Sequence, residues 1–456
     1  MSIVASVKVI EPATEQVLAE VPEASIEDAD RAVARAKAAF PAWRAVNPGD
    51  RARLMRGYAS VVADNAEKLA KLEARNVGKP IGDARGEVGM VVDVFNYYAG
   101  SPERLLGNTI PVAGGVDMTF REPLGVVALI VPWNFPIAIT SWKLGPALAA
   151  GNTVVLKPAG LTPLTAIELG RLALEAGIPE GVVNVVVGAG RTVGELLVQH
   201  PDVAKVAFTG STEVGRRIGA LAAESIKRVT LELGGKSANI VFADADIEKA
   251  AASAPMAVFG NAGQDCCARS RILVERPAVD RFMQGLEEAV KAVRVGDPLD
   301  EKTEMGPLIS ADHRTRVSSY LEDGARIAIR GSAPSGPGYW FPPTVLSPVA
   351  PTDRVAREEI FGPIVAVIPF DDEADALRIA NDTVYGLSGS IWTSNAGRAL
   401  RMARGLETGT ISINSNTSVR VTTPFGGFKQ SGVGRELGPN ALDHYTELKN
   451  VFLSTS

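Results

Sequence analysis

The 456-residue chain has only two cysteines, Cys266 and Cys267, and they are neighbours. Adjacent thiols cannot staple distant loops, so a disulfide framework is excluded and a reducing compartment, the cytoplasm, is expected. Two cysteines are also too few for a zinc ribbon, and no metal site is expected. Histidine is as scarce: His200, His313 and His444 lie far apart in the sequence. Proton transfer therefore falls to carboxylates or lysines. No long run of one charge sign occurs, and 47 basic against 52 acidic residues leave a net charge of −5. That balance lacks the footprint of a nucleic-acid binder and serves solubility instead. No apolar run approaches the roughly 20 residues that cross a bilayer. The most apolar stretch, Val126–Val131, stops at Pro132. The opening MSIVASVKVIEP has no basic segment before a long apolar core, so no secretory leader and no membrane partner are expected.

What the chain does have is length and alternation. With 46% hydrophobic residues it can build two or three domains, and its 45 glycines and 29 prolines follow no period that would suggest a fibrous or low-complexity protein. The first hundred residues read as helical. Ile26–Phe40 is Ala-rich behind the capping signal Ser25-Ile-Glu-Asp, and Arg51–Ala74 is a second amphipathic stretch. From Gly125 onward β-branched runs alternate with helical ones. Val126–Val131, Thr153–Leu156, Val182–Val187 and Val203–Phe208 read as strands, and Thr162-Pro163 opens a helix that Gly177 closes. Leu233-Gly234-Gly235 interrupts the series as a candidate hinge. A second series then follows: Ala238–Phe242, a helix near Ile247–Phe259, Ile272–Val274 and Ile364–Pro369. The last thirty residues carry the Gly-rich Pro424-Phe-Gly-Gly-Phe and a strand-like Asn450-Val-Phe-Leu. Strand–helix–strand alternation implies parallel pairing through right-handed crossovers, hence α/β architecture with doubly wound sheets.

Four local features carry chemistry. Cys266, in Gly263-Gln-Asp-Cys-Cys-Ala, is either an inert buried thiol or a nucleophile. Glu232 lies between leucines in Val229-Thr-Leu-Glu-Leu; it points to solvent, or it is a buried carboxyl of raised pKa suited to general-base work. Asn134, in Pro132-Trp-Asn-Phe-Pro, is a turn residue or an oxyanion donor held rigid by two prolines. Gly210-Ser-Thr-Glu-Val-Gly215 follows a strand and opens a helix, the setting in which backbone N–H groups and the helix dipole bind a pyrophosphate. It matches neither the G-x-G-x-x-G nor the Walker pattern.

Taken in order, these segments resemble the aldehyde dehydrogenase superfamily, over nearly the whole chain. The resemblance rests on PWNFP at 132–136, KPA at 157–159, FTGSTEVG at 208–215, LELGGKS at 231–237, GQDCC at 263–267, EEIFGP at 358–363 and PFGGFKQSGVGRE at 424–436. It implies an NAD(P)-dependent enzyme that oxidises a small-molecule aldehyde to an acid. Cys266 would form a thiohemiacetal and then a thioester, the Asn134 amide and the Cys266 N–H would hold the oxyanion, and Glu232 would activate the deacylating water. Lys143 and Glu436 match a proton path or a structural ion pair. Trp133, Lys157, Gly210, Ser211, Gly215, Glu359 and Phe361 would bind cofactor.

The resemblance also implies a cofactor domain (1–104 and 124–235), a catalytic domain (236–429) and a small β oligomerisation arm with the C-terminal segment (105–123 and 430–456), so a homodimer or homotetramer is expected. One position departs from the pattern. Where many NAD-using members carry Glu after KPA this chain has Gly160, so NAD is expected with NADP possible. Phe135, Trp142 and Phe425 would wall the substrate tunnel. Asp265, just before the nucleophile, should raise the Cys266 pKa and favours a cationic amino-aldehyde. Arg420 points instead to a dicarboxylic semialdehyde, unless it pairs with Asp265. A coenzyme A-acylating dehydrogenase, a bare nucleotide-binding module and a non-catalytic crystallin-like protein are the alternative readings.

Overall fold

The structure, a computed structural model, describes residues 5–322, 324–417 and 419–455. Met1–Val4, which begin the stretch read for a leader, lie outside them. The chain opens with an antiparallel hairpin, Ser6–Glu11 against Gln16–Pro22, where a helical start is expected from sequence. The short alternation in Val7-Lys-Val9 and Val17-Leu-Ala-Glu-Val21 was outweighed by the Ala-rich stretch behind it. The first helix, Ile26–Arg44, begins as its signal predicts: Ser25 and Asp28 exchange side-chain-to-backbone hydrogen bonds of 2.9 and 3.1 Å. The amphipathic stretch read as one helix is two, Pro48–Asp64 and Ala66–Val77. The Asn65 amide donates to Val61 O at 2.9 Å and so competes with the helical ladder at the break.

Two sheets carry the chain. The first has six strands in the order Gly432–Val433, Arg228–Glu232, Val203–Thr209, Val126–Ile130, Thr153–Lys157 and Val183–Val185. All pair in parallel except Gly432–Val433, which lies antiparallel on Leu231–Glu232. Alternation sends Val127 and Leu129 to one apolar layer and Val126, Ala128 and Ile130 to the other, which explains why this strand reads as uniformly hydrophobic. The helix Pro136–Ala149, buried at every position, packs on the first of these faces. A second helix was expected to start at Thr162 as its cap. It begins at Leu164 instead, and the Thr162 hydroxyl donates to Trp133 O at 3.1 Å.

The second sheet has seven strands: Ile327–Arg330, Thr344–Leu346, Ile364–Phe370, Arg271–Glu275, Ala238–Val241, Ser388–Trp392 and Thr410–Ile413. Only its first pair is antiparallel. A three-stranded antiparallel sheet joins Thr446–Ser454 to Gly115–Pro123 and Thr109–Val112. No helix of the described residues is long and apolar enough to cross a membrane.

Asn152 holds the seam between these parts. Its Oδ1 accepts Gly125 N–H at 3.0 Å, and its amide donates to Ala147 O at 3.2 Å and to Tyr445 O at 2.9 Å. The Asn152→Ala variant removes the side-chain partner of buried Gly125 N–H and Tyr445 O, each worth about 1–3 kcal/mol, while Ala147 O keeps the backbone N–H of residue 152 at 3.0 Å. Its thermal unfolding midpoint should fall by several degrees in calorimetry, and an unchanged midpoint would show that the seam does not depend on this residue.

Candidate active site

The parallel strands of the six-stranded sheet end at one edge, the place where open α/β sheets bind ligands. Lys157 closes one strand there, Trp133 and Asn134 follow the next, Gly210 and Ser211 the next, and Glu232 closes the last. Ser211 caps the helix Thr212–Ala223, its Oγ accepting Val214 N–H at 3.3 Å, so a positive helix end faces this edge. The turn requires glycine for packing. A Cβ at Gly210 would sit 2.5 Å from the Phe208 ring, and one at Gly215 would sit 2.3 Å from Leu233. Among the described residues, buried Lys157 Nζ has only Pro158 O at 3.3 Å as partner, and burial pulls it down to about 8. Glu359 accepts Gly235 N–H at 2.8 Å, and burial pushes its carboxyl up. Trp133 meets Phe361 and His313 edge-on, with ring centroids 5.3 and 5.4 Å apart. A helix N-terminus and a buried ammonium at one end, and a carboxylate acceptor among aromatic rings at the other, fit the phosphates and ribose hydroxyls of a dinucleotide. At Gly160 an added Cβ would meet only Val7 at 3.7 Å, so the position has room for a side chain.

Beside this edge lies a cavity of about 290 Å³ lined by Cys266, Glu232, Asp265, Phe135, Trp142 and Phe425 among others. The Cys266 loop joins the helix Ile247–Phe259 to the strand Arg271–Glu275. It passes through left-handed backbone at Asn261 and Ala262, a strained conformation for non-glycine residues. Asn134, 3% exposed, is tied to that loop: its side-chain amide donates to Gln264 O at 2.9 Å while its main-chain carbonyl accepts from Asn261 Nδ2 at 3.0 Å. Its second amide hydrogen is left for a ligand. A hydrogen bond with Cys267, then burial, then the Asp265 and Glu359 charges hold the Cys266 thiol well above its ordinary range. The rise expected from Asp265 is thus present but secondary. Asp265 spends Oδ1 on Cys267 N–H at 2.8 Å, and burial raises its own carboxyl. Asp265, Cys266 and Cys267 bring a carboxylate and two thiols within 4.8 Å, the one cluster of metal-ligand type among the described residues. Its members are consecutive, unlike the spaced ligands of a structural zinc site.

Glu232 is 4% exposed, and neither of its carboxylate oxygens has a hydrogen-bond partner among the described residues. Burial, reinforced by the Glu436 charge, raises its carboxyl well above the usual range; Lys143 and Arg435 oppose this. The solvated-face reading of Glu232 is therefore corrected. Gly426 approaches so closely that a Cβ there would sit 2.7 Å from Glu232 Oε1. Behind it, Lys143 Nζ and Glu436 Oε1 form a buried ion pair at 2.6 Å.

The cavity also brings together Phe135, Trp142 and Phe425, the last two edge-on at 5.3 Å. Arg420 is the exception. It is exposed and outside the cavity lining, so its proposed substrate contact is corrected, as is its pairing with Asp265. The cations near Asp265 are Arg269, which lines the cavity and whose guanidinium is bound to Ser390 Oγ at 2.9 Å and to the Cys267 carbonyl at 2.5 Å, and Lys79, whose Nζ lies 4.4 Å over the Phe135 ring. Sequence reading missed Arg269, although it stands three residues from the nucleophile. It also missed Glu87 and Met256 of the lining, which no local pattern marks.

The sequence profile of the aldehyde dehydrogenase family matches residues 2–451. An aldehyde dehydrogenase of Emericella nidulans is 45% identical over 97% of this chain and 91% of its own length. A betaine aldehyde dehydrogenase of Bacillus subtilis is 40% identical over 98% of this chain and 94% of its own. The NAD+ complex of an aldehyde dehydrogenase from Bacillus cereus, 43% identical, superposes with a TM-score of 0.97 over 99% of this chain and 94% of that one. The chain belongs to the aldehyde dehydrogenase family and is an oxidoreductase of aldehydes.

Proposed function

We propose that the protein oxidises an aldehyde to a carboxylic acid with NAD and water, through a thioester on Cys266. The observation that carries this reading is that Cys266 and the buried Glu232 line one cavity beside the dinucleotide-binding edge. Cys266 Sγ gives its proton to solvent water and attacks the aldehyde carbon as the thiolate. The oxyanion is held by the free Asn134 amide hydrogen and the Cys266 N–H. NAD, when bound, accepts the hydride that the adduct expels; Lys157, Ser211 and the 210–215 turn, Trp133, Glu359 and Phe361 would hold it. Glu232 then removes a proton from water, whose oxygen bonds to the thioester carbon. The carbon–sulfur bond breaks and acid and thiolate separate. A general base in this position favours hydrolysis over transfer to coenzyme A. The open edges of the three-stranded sheet, with Leu448 and Phe452 exposed on its outer strand, support a homodimer or homotetramer.

For substrate, the Asp265 carboxylate among Phe135, Trp142 and Phe425 supports a cationic aldehyde, such as an amino-aldehyde. The Bacillus subtilis relative's name, betaine aldehyde dehydrogenase, agrees with this. The semialdehyde reading loses its support because Arg420 stands outside the cavity lining.

Three measurements test these assignments. Cys266→Ala should reduce NADH formation to background, a loss above about 10³, while Cys267→Ala keeps most activity; the reverse pattern would mean that the wrong thiol is assigned. Glu232→Gln should give a stopped-flow burst of NADH followed by turnover slowed about 10²–10⁴-fold. Because burial raises the carboxyl, the base form of Glu232 appears only as pH rises, so wild-type kcat should climb with pH and level off above the ordinary carboxylate range. A variant without a burst and impaired only in cofactor binding would contradict the role. Finally, kcat/KM for 4-aminobutyraldehyde should exceed that for a neutral aldehyde of equal length by about tenfold, about 1.4 kcal/mol, with succinate semialdehyde poorest. Asp265→Ser should erase that preference. A neutral aldehyde that wins, with ratios unmoved in Asp265→Ser, would overturn the charge argument.

A further inference from the structure

Deacylation leaves a proton on Glu232 deep in the protein, and turnover requires that it leave. We propose that the proton leaves through Glu436 to Lys205 and then through His444 to solvent, an inference that rests on the hydrolytic reading above. Lys205 lies on Val203–Thr209, directly beside Arg228–Glu232, with Lys205 opposite Arg228, Ala207 opposite Thr230 and Thr209 opposite Glu232. Alternation puts Glu232, Thr230 and Arg228 on one face of the sheet together with Thr209 and Lys205. A polar row thus runs from the cavity, lined by Glu232 and Thr209, down to Arg228, which is exposed.

Lys205 is fully buried, a costly place for an ammonium that has no carboxylate within salt-bridge distance among the described residues. Its Nζ donates to Thr230 Oγ1 at 3.1 Å and lies over the Tyr445 ring at 4.8 Å, two weak partners for a group with three donors. The titratable or charged groups that face it are Glu436, Lys143, Arg228, Tyr445 and His444. Burial, against the pull of Glu436, brings its ammonium down to about 7, so this lysine both takes and gives a proton near neutrality. Glu436 Oε2 and the Tyr445 hydroxyl are buried without partners among the described residues, and these are sites at which water can link the row. His444 Nε2 accepts Arg435 N–H, adjacent to Glu436, at 3.1 Å. Gly434 brings the same ring to the row: a Cβ there would sit 2.7 Å from Thr230 and 3.5 Å from His444 Cε1. His444 is only half-buried, so it opens outward.

The steps balance as proton transfers alone. Protonated Glu232 returns to carboxylate as Glu436 takes its proton. Glu436 passes it to neutral Lys205, and the resulting ammonium gives it to His444 Nε2, which lets go of Arg435 N–H while Nδ1–H passes a proton to solvent. Lys143 holds Glu436 in place through their contact of 2.6 Å. Neither Lys205 nor His444 touches substrate; both are positioning residues that act through Glu436.

The test uses the full-length enzyme with NAD and a simple aldehyde. Lys205→Met should keep the NADH burst at its wild-type rate, while steady-state kcat falls about tenfold or more and its pH profile loses the inflection near neutrality. Lys205→Arg keeps the charge but cannot release a proton, so it should be as slow as Lys205→Met. Wild-type turnover in Lys205→Arg would reduce the lysine to a fixed charge and overturn the relay. His444→Gln, at a half-exposed site that does not endanger folding, should slow turnover and enlarge the solvent deuterium effect on kcat. If it leaves both unchanged, the outlet is wrong even where the lysine variants fail to fold. If Glu232→Gln shows no burst, the hydrolytic reading itself fails; if it does and the Lys205 and His444 variants turn over normally, only the outlet fails.

Discussion

The site depends on a clasp between two segments two hundred residues apart. Gly432 pairs with Glu232 and Val433 with Leu231, and the clasp continues outward: Leu233 N–H donates to Ser431 O, the Ser431 hydroxyl donates to Gly234 O, and Phe425 exchanges backbone bonds of 2.7 Å with Glu436. Without it Glu232 would end an edge strand in water, with an ordinary carboxyl. With it, Gly426 shuts off one side, Phe425 forms a wall and Glu436 is delivered to Lys143. Close approach explains the glycines. A Cβ at Gly432 would lie 2.1 Å from Leu231 O, and its φ of +152° is a backbone conformation that side chains rarely adopt. The Gly-rich run that reads as a loop in the sequence is a covering strap, and it is small because the carboxylate beneath needs the space.

The electrostatics of the cavity set two groups against their usual states. Cys266 is held as a thiol by Cys267 and burial, and Glu232 is drawn toward its acid form by burial and Glu436. Nucleophile and base are thus both disfavoured in their charged forms at rest. This is how a buried pair avoids the cost of standing charge while keeping a nucleophile and a base within one cavity. Asn134 needs no such device. Its geometry is fixed by the Gln264 and Asn261 contacts, so its dipole is oriented before any substrate arrives.

Much of this was legible in the sequence because backbone demands are local. The strands near 126, 153 and 203 and the Ser25 cap follow from runs and spacings a few residues long. The N-terminal hairpin escaped because two short strands carry little signal beside long helices. The break at Asn65 escaped because a single side-chain bond decides it. At the site, Cys266, Glu232 and Asn134 each allow a bland local reading, and it is the order of motifs resembling the family that singles them out. Arg420 misled for the opposite reason: closeness in sequence to Phe425 does not carry an exposed side chain into the cavity that Phe425 walls. Arg269 and Lys205 could be placed only by the fold. A basic residue in a strand reads as solvent-facing until the neighbouring strand and the segment crossing it are known.

The clasp also orders events in time. The strand ending at Glu232 and the loop bearing Cys266 both precede residues 425–436 in the chain, so they emerge first during synthesis, and domains generally fold as they emerge, N-terminal part first. A nascent chain thus carries its thiol and its carboxyl before it carries the strap that covers the carboxyl.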